Sequence, residues 1–459
     1  MYTIDFHKPI HVHFIGIGGI SMSGLAEILL KENFTISGSD AKESPLTKHL
    51  ENLGALLSYG QRASNITEGI DLVVYTAAIH PDNPEFAMAV EKNLPMLTRA
   101  ELLGQIMTNY KTPIAVAGTH GKTTTTSMAS HILLAADTDP TISVGGILPS
   151  ISGNIRVGQS DTFITEACEY TNSFLSFYPK ISIILNMDAD HLDFFKDIED
   201  IRSSFHKFAQ LLPQDGSLII NADTPSYQDI LKDLQCQVIT YGLENEADYQ
   251  AKNISFDAFS HPTFDCYYKG EFIERFSLKV PGIHNVSNAL ASIAMAHTLK
   301  IDNAKIQKGL LSFTGTDRRF QHKGNLAGIT IIDDYAHHPT EIKATLQAAQ
   351  NYPHKTLWCV FQPHTYTRTA ALLKDFAKAL TLSDKIVLTD IYAAREVNTL
   401  NISSKDLQKE LQSLGKDCFY FPTFDEIENF LLENCVDGDL LITMGAGDVV
   451  VIGEKLLGK

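Results

Sequence analysis

The sequence is poor in cysteine and has no pair of cysteines in a C-x-x-C arrangement. Its six, Cys168, Cys236, Cys266, Cys359, Cys418 and Cys435, are scattered. That excludes a disulfide framework and a zinc ribbon, and predicts reduced thiols in a cytoplasm. Long apolar runs are also missing, since none approaches the ~18 residues that span a bilayer. No basic, apolar and small-residue leader is present, because Asp5 and His7 interrupt the N-terminal stretch. Basic charge is scarce too: 37 Lys and Arg stand against 54 Asp and Glu, for a net charge of −17. The average surface therefore repels a polyanion, which argues against nucleic acid as a partner. A small phosphorylated ligand stays possible, because one lysine and a few oriented N–H groups can hold it. There is no low-complexity tract and no repeat of fixed period. What is present is ordinary for a soluble globular protein: 44% apolar and 20% charged residues over 459 positions. That length accommodates two to four domains at ~100–200 residues each.

The densest chemical signal runs from Pro113 to Thr126. Ile114 to Ala117 is a short apolar run of the buried-strand kind. Gly118-Thr119-His120-Gly121 is a glycine-bounded turn, and a helix can start at the threonines and run through Met128, Ile132 and Leu133. Strand, glycine turn, Gly-Lys-Thr and helix together make a phosphate cradle, with N–H groups and the helix dipole facing the anion. Lys122 can reach the β- and γ-phosphates and the Thr123 hydroxyl can ligate Mg²⁺. The match is to a shortened loop, with Val116 where the usual pattern has its first glycine. The competing reading is a plain turn with an exposed lysine. Four consecutive threonines argue against it: they are mediocre helix formers, so they are expected to be kept for their hydroxyls.

Upstream, an apolar strand from His11 runs into Gly16-Ile17-Gly18-Gly19, a helix follows, and a second strand ends at Gly38-Ser39-Asp40. This is the outline of a dinucleotide fingerprint, in which the acidic residue about 20 positions on binds a ribose hydroxyl. Ser21 replaces its third glycine. The turn either contacts a nucleotide or serves packing alone. The strand Asp71 to Tyr75 ends at Thr76 and Ala77, placed to line the same crevice. Tyr110 to Pro113 reads as the joint to a second unit.

In that second unit one strand ends in Glu166-Ala167-Cys168-Glu169, and another in Asp188-Ala189-Asp190-His191. Ligands of parallel α/β sheets collect at strand carboxyl ends, so these residues and Thr123 form a candidate magnesium site, although each acid alone reads as a helix cap. His284 and Asn288 open a later helix, and spacing alone favours a cap over a base contact. The last ~145 residues read as a third α/β unit. It contains Arg318-Arg319-Phe320, and its strand ends carry Asp333-Asp334-Tyr335-Ala336-His337-His338-Pro339 and His364-Thr365-Tyr366-Thr367-Arg368.

Taken in order, these motifs resemble the Mur ligases, the ATP-dependent amide-forming enzymes of peptidoglycan precursor synthesis, over nearly the whole chain. The resemblance implies an α/β protein of three domains. A Rossmann-like domain over 1–110 would bind a UDP-sugar. A central P-loop-type domain with a mostly parallel sheet over 111–313 would bind ATP, and a Rossmann-like domain over 314–459 would bind the amino acid. It implies UDP-N-acetylmuramate and L-alanine as substrates, with ATP and Mg²⁺, in a soluble cytoplasmic monomer or homodimer that binds neither nucleic acid nor membrane. The ATP site would comprise Gly118 to Thr124, His284, Asn288, Arg318, Arg319 and Asp334. Thr123 and Glu166 would share one Mg²⁺, and His191 would take a second. Gly16, Gly18, Gly19, Asp40, Thr76, Ala77 and His120 would hold the UDP-sugar, and Tyr335, His337 and Arg368 the amino acid. Lys122, His337 and Arg319 would be catalytic.

Two departures stand out. Related ligases carry a modified lysine past the Asp-His motif, where this chain has His206 and Lys207. Many also carry arginine where Thr365 stands. Two other function classes compete. An NAD-dependent oxidoreductase leaves the Gly-Lys-Thr loop unexplained. A non-catalytic nucleotide switch leaves the polar strand ends of the third unit unexplained.

Overall fold

The structure, a computed structural model, describes residues 2–76, 78–394 and 396–459. Three sheets follow one another along the chain. The first has five parallel strands in the order Leu56–Tyr59, Thr35–Asp40, His11–Ile15, Leu72–Tyr75, Met96–Thr98. Strand order reverses at His11–Ile15, so the glycine turn that follows it opens at the switch point of the sheet, where such folds bind ligands.

The second sheet has ten strands. Its centre is parallel and runs Gln237–Gly242, Ser217–Asn221, Ile181–Ile184, Thr112–Ala117, Thr162–Ala167, Thr141–Leu148. Antiparallel pairing is confined to the flanks: Gly153–Arg156 at one edge, and Pro262–Tyr268 and Glu271–Ser277 at the other. The central strands are near-continuous Ile, Val and Ala because helices cover both faces. Ile114, Val116, Ile183 and Ile219 have no exposed surface. Helix Lys122–Ala135 packs between helices Ile283–Thr298 and Asn303–Ser312. Thr125 and Thr126 are fully buried with no partner for their hydroxyls among the described residues. Of the four threonines expected to be kept for their hydroxyls, Thr123 donates to Glu166 and Thr124 lines a cavity, while the next two face the core.

The third sheet has six strands in the order Gln321–Leu326, Ile329–Asp334, Leu440–Met444, Leu357–Phe361, Lys385–Leu388, Cys418–Tyr420, with only the first pair antiparallel.

The units are joined closely. Tyr110 is no loose hinge: it stacks on Phe163 at 5.1 Å and its hydroxyl donates to Thr141 at 3.1 Å. Gly24 lets helix Ile20–Lys31 lie on strand Gly153–Arg156, since a Cβ there would sit 2.2 Å from the Ile155 side chain. Asn154 donates to the Ile20 carbonyl at 3.0 Å. On the other side, the Ser260 hydroxyl donates to the Ala348 carbonyl at 2.9 Å.

Candidate active site

Strand Thr112–Ala117 delivers the chain to Gly118 at the carboxyl edge of the central sheet, and helix Lys122–Ala135 leads away. Gly121 makes the corner at φ +84°, and a Cβ there would meet Asn288 Oδ1 at 2.9 Å. The position thus needs glycine for both its backbone and its neighbour. Lys122 Nζ donates to Glu169 Oε2 at 3.0 Å, to the Thr119 carbonyl at 3.1 Å and to the Gly118 carbonyl. Burial works against its charge, but Glu169 outweighs it and holds the ammonium above the usual lysine range. Thr119 braces the loop, its hydroxyl accepting the Asp188 N–H at 2.9 Å. His120 lies between two carboxylates, Asp188 at 3.0 Å and Glu341 at 3.3 Å. Burial opposes its protonation, yet the two acids raise its pKa to about 9.

Carboxylates converge beside the loop. The Thr123 hydroxyl donates to Glu166 Oε2 at 3.1 Å, and the Gly145 N–H donates to Oε1 of the same group. Glu169 Oε1 is buried without a hydrogen-bond partner among the described residues and lies 3.7 Å from His191 Nε2. His191 is held in the left-handed region at φ 53°, with its ring stacked on Tyr170 at 4.5 Å. Hydroxyl, carboxylate and imidazole donors around an orphaned carboxylate oxygen suit a hard divalent cation. Glu169 went unassigned in the sequence reading, although it ends the same strand motif as Glu166.

Next to the loop a cavity of about 340 Å³ opens between the second and third sheets. Its walls include Thr124, His284, Asn288, Arg319, Asp334 and Glu341. His284 is neutral at physiological pH, because burial and then Arg319 lower its pKa to about 4. Asp334 accepts the Phe320 and Ala336 N–H groups, each at 2.8 Å, and burial raises its pKa to about 6 against the pull of Arg319. Glu341 touches His120, Arg319 and His337. Burial opposes its charge, but the His337 backbone N–H, 3.1 Å from its Oε2, and the cationic His120 hold it ionised, well below the usual range.

Three family models cover most of the chain: the Mur ligase family catalytic domain at residues 11–111, the Mur ligase middle domain at 116–296, and the Mur ligase glutamate ligase domain at 318–447. The chain belongs to the Mur ligase family. Among its relatives, a UDP-N-acetylmuramate–L-alanine ligase of Agathobacter rectalis is 63% identical over 459 residues, covering 100% of both chains. One of Caldanaerobacter subterraneus subsp. tengcongensis is 52% identical over 454 residues, covering 99% of this chain and 98% of that protein. The crystal structure of the UDP-N-acetylmuramate-alanine ligase of Thermotoga maritima superimposes with a TM-score of 0.81 at 30% identity, covering 98% of each chain. A murein peptide ligase from Psychrobacter arcticus 273-4 gives 0.71 at 26%, again over 98% of each.

Several expected residues of this Mur ligase sit differently from the sequence reading. Arg318 does not face the cavity. Its backbone turns at φ 60°, and its guanidinium is spent on Asp333 at 3.0 Å and the Gly445 and Gly447 carbonyls at 2.7 and 3.0 Å. It ties the third sheet together and leaves the cavity to Arg319. Arg368 grips Asp190 through Nε at 3.0 Å and the Nη2 nitrogen at 2.9 Å, while its Nη1 nitrogen meets His364 at 3.1 Å. Arg368, expected at the amino-acid site, is thus paired with an aspartate across the boundary between the second and third sheets. Asp40 accepts the Gly18 N–H at 2.8 Å and the Ala41 N–H at 2.8 Å, so its carboxylate closes the glycine turn rather than pointing free. Gly16 turns at φ 83°, Gly19 caps helix Ile20–Lys31, and Thr76 follows strand Leu72–Tyr75; Ala77 lies outside the described residues. Tyr335 lies under both Arg318 and Arg319, 4.9 and 5.3 Å from their guanidinium carbons. His337 Nδ1 meets the Tyr335 carbonyl at 3.0 Å. Of the two residues that stand near the place of the modified lysine, His206 is committed to the Ile230 carbonyl at 3.1 Å and Lys207 is exposed.

Proposed function

We propose that this Mur ligase joins L-alanine to the lactyl carboxylate of UDP-N-acetylmuramate, consuming ATP and releasing ADP and phosphate, in cytoplasmic peptidoglycan precursor synthesis. The observation that carries this reading is a phosphate loop whose Lys122 and Thr123 hold Glu169 and Glu166, beside a cavity that the loop's Gly121 and Thr124 share with the third sheet's Arg319 and Asp334. The names of relatives that match end to end point the same way. Residues 1–110 would carry the UDP-sugar, 111–313 the ATP, and 314–459 the amino acid.

The chemistry follows from the groups. A carboxylate is a poor electrophile, so one of its oxygens first attacks the γ-phosphorus and ADP leaves. The alanine nitrogen then attacks the acyl phosphate carbon, and phosphate departs from the tetrahedral intermediate with the C–O bond electrons. Lys122 and Arg319 supply positive charge where phosphoryl oxygens collect. Thr123 with Glu166, and Glu169 with His191, would hold Mg²⁺, which when bound neutralises phosphate charge. Asn288 and His284 would meet the adenine. His337 is neutral, because burial lowers its pKa to about 4. Its Nδ1–H donates to the Tyr335 carbonyl, so the lone pair on Nε2 is the one free to accept the proton lost by the amine. Arg368 would clamp the alanine carboxylate in place of Asp190. Phosphate release with ATP and Mg²⁺ tests the reading. Release only when UDP-N-acetylmuramate and L-alanine are both present supports it. Release with neither sugar nucleotide nor amino acid, or nicotinamide binding in a fluorescence titration, contradicts it.

A further inference from the structure

His338 has no part in the mechanism above, yet it is only 5% exposed and packs against His120 of the phosphate loop, which lines the cavity. It caps helix Pro339–Gln350, whose next residues Thr340 and Glu341 line the cavity. Its Nδ1 accepts the Thr340 N–H at 3.3 Å. That bond fixes the tautomer: Nδ1 keeps its lone pair, so the proton of the neutral ring is on Nε2. The ring stays neutral because burial lowers its pKa, and the cationic His120, its ring tilted against this one at 4.6 Å, lowers it further. Nε2 is buried and, among the described residues, has no hydrogen-bond partner. A buried donor in that state bears its full desolvation penalty until an acceptor arrives.

Ring nitrogens of His338 and His120 and a carboxylate oxygen of Asp188 lie within 4.8 Å of one another, a spacing that could suggest a metal. The tautomer speaks against one. A metal on Nε2 needs the lone pair that the cap withholds, and His120 is kept protonated between two acids. The group suits an anionic oxygen instead, at the N-terminus of a helix and beside the phosphate loop, where negative charge is favoured.

We propose that His338 is a further catalytic residue, whose Nε2–H donates to a non-bridging oxygen of the phosphoryl group during its transfer to the carboxylate. The proposal rests on the ligase reading above. Two substitutions separate it from a structural role. In His338→Asn the side-chain oxygen keeps the helix cap and the Nε2–H is deleted. In His338→Gln an amide N–H reaches the Nε2 position and the cap is weakened. The expected result for His338→Asn is an unchanged melting temperature, an ATP KM close to wild type, and a kcat for phosphate release lower by roughly 10²–10³-fold. His338→Gln should melt lower yet recover at least about tenfold of that loss, the size of one partly restored donor. With hydroxylamine replacing alanine, trapping of the acyl phosphate as hydroxamate should fall by the same factor as amide formation. Wild-type kcat in His338→Asn overturns the proposal. So does a loss that follows melting temperature in both variants, or a loss of amide formation with hydroxamate formation intact. Wild-type protein that releases no phosphate with both substrates would contradict the ligase reading itself, and with it the role given to His338.

Discussion

Lys122 and Arg368 show how one side chain can hold structure before it handles a ligand. The Lys122 ammonium is anchored by Glu169 and two loop carbonyls, so Lys122→Met removes both a loop brace and a charge. Turnover should fall on the order of 10²–10³-fold, read as steady-state phosphate release, with circular dichroism unchanged. Arg368 is bound to Asp190, whose side chain is 8% exposed, and burial of that acid is offset by Arg368. Arg368→Ala therefore leaves a buried carboxylate unpaired and should cost about 3–5 kcal/mol of stability, besides raising the alanine KM roughly 10- to 150-fold through a lost charge-assisted pair. Adding Asp190→Asn should restore most of the stability and none of the alanine affinity. A double variant that regains the wild-type alanine KM would remove Arg368 from the amino-acid site. Adjacent residues such as Arg318 and Arg319 could not be told apart in sequence, because the positive φ at Arg318 that separates them is a tertiary property.

At the scale of elements, what was legible was local. Apolar runs bounded by glycines announced the strands, and Gly118 to Thr123 announced the loop before helix Lys122–Ala135. What was not legible depends on packing between elements. Thr125 and Thr126 read as ligand hydroxyls until helices Ile283–Thr298 and Asn303–Ser312 cover them. Glu341 is an unremarkable first-turn acid until its helix meets His120 from the central sheet. The loop's shape makes its own prediction. Gly121→Ala forces φ +84° on a residue with a Cβ and drives it against Asn288. We expect ~1–3 kcal/mol of strain, seen as a lower melting temperature, together with a higher ATP KM. An unchanged melting temperature and KM would show that the corner relaxes freely. His191 belongs at this scale too. If it ligates the second Mg²⁺, His191→Ala should raise the Mg²⁺ concentration for half-maximal rate well above any change in ATP KM, and equal changes in both would count against that role.

Across the whole molecule, the cleft is closed by charges contributed from different sheets: His120 with Glu341, and Arg368 with Asp190. The first pair gives a pH dependence with a definite sign. The pKa of His120 rises from 6.5 to about 9 in the fold. Its stabilisation is thus fully present below about pH 6.5 and is lost as pH rises through about 9, by an amount on the order of 3 kcal/mol. The melting temperature should fall over that window in the wild type and less so in His120→Gln; identical profiles would contradict the bridging imidazolium. The central claim is that the sugar nucleotide's carboxylate is phosphorylated before alanine attacks. The most direct measurement uses UDP-N-acetylmuramate labelled with heavy oxygen in its lactyl carboxylate, with mass spectrometry of the released phosphate. The account predicts one labelled oxygen transferred into each phosphate. Phosphate free of label, with the oxygen lost on amide formation appearing in water instead, would contradict it.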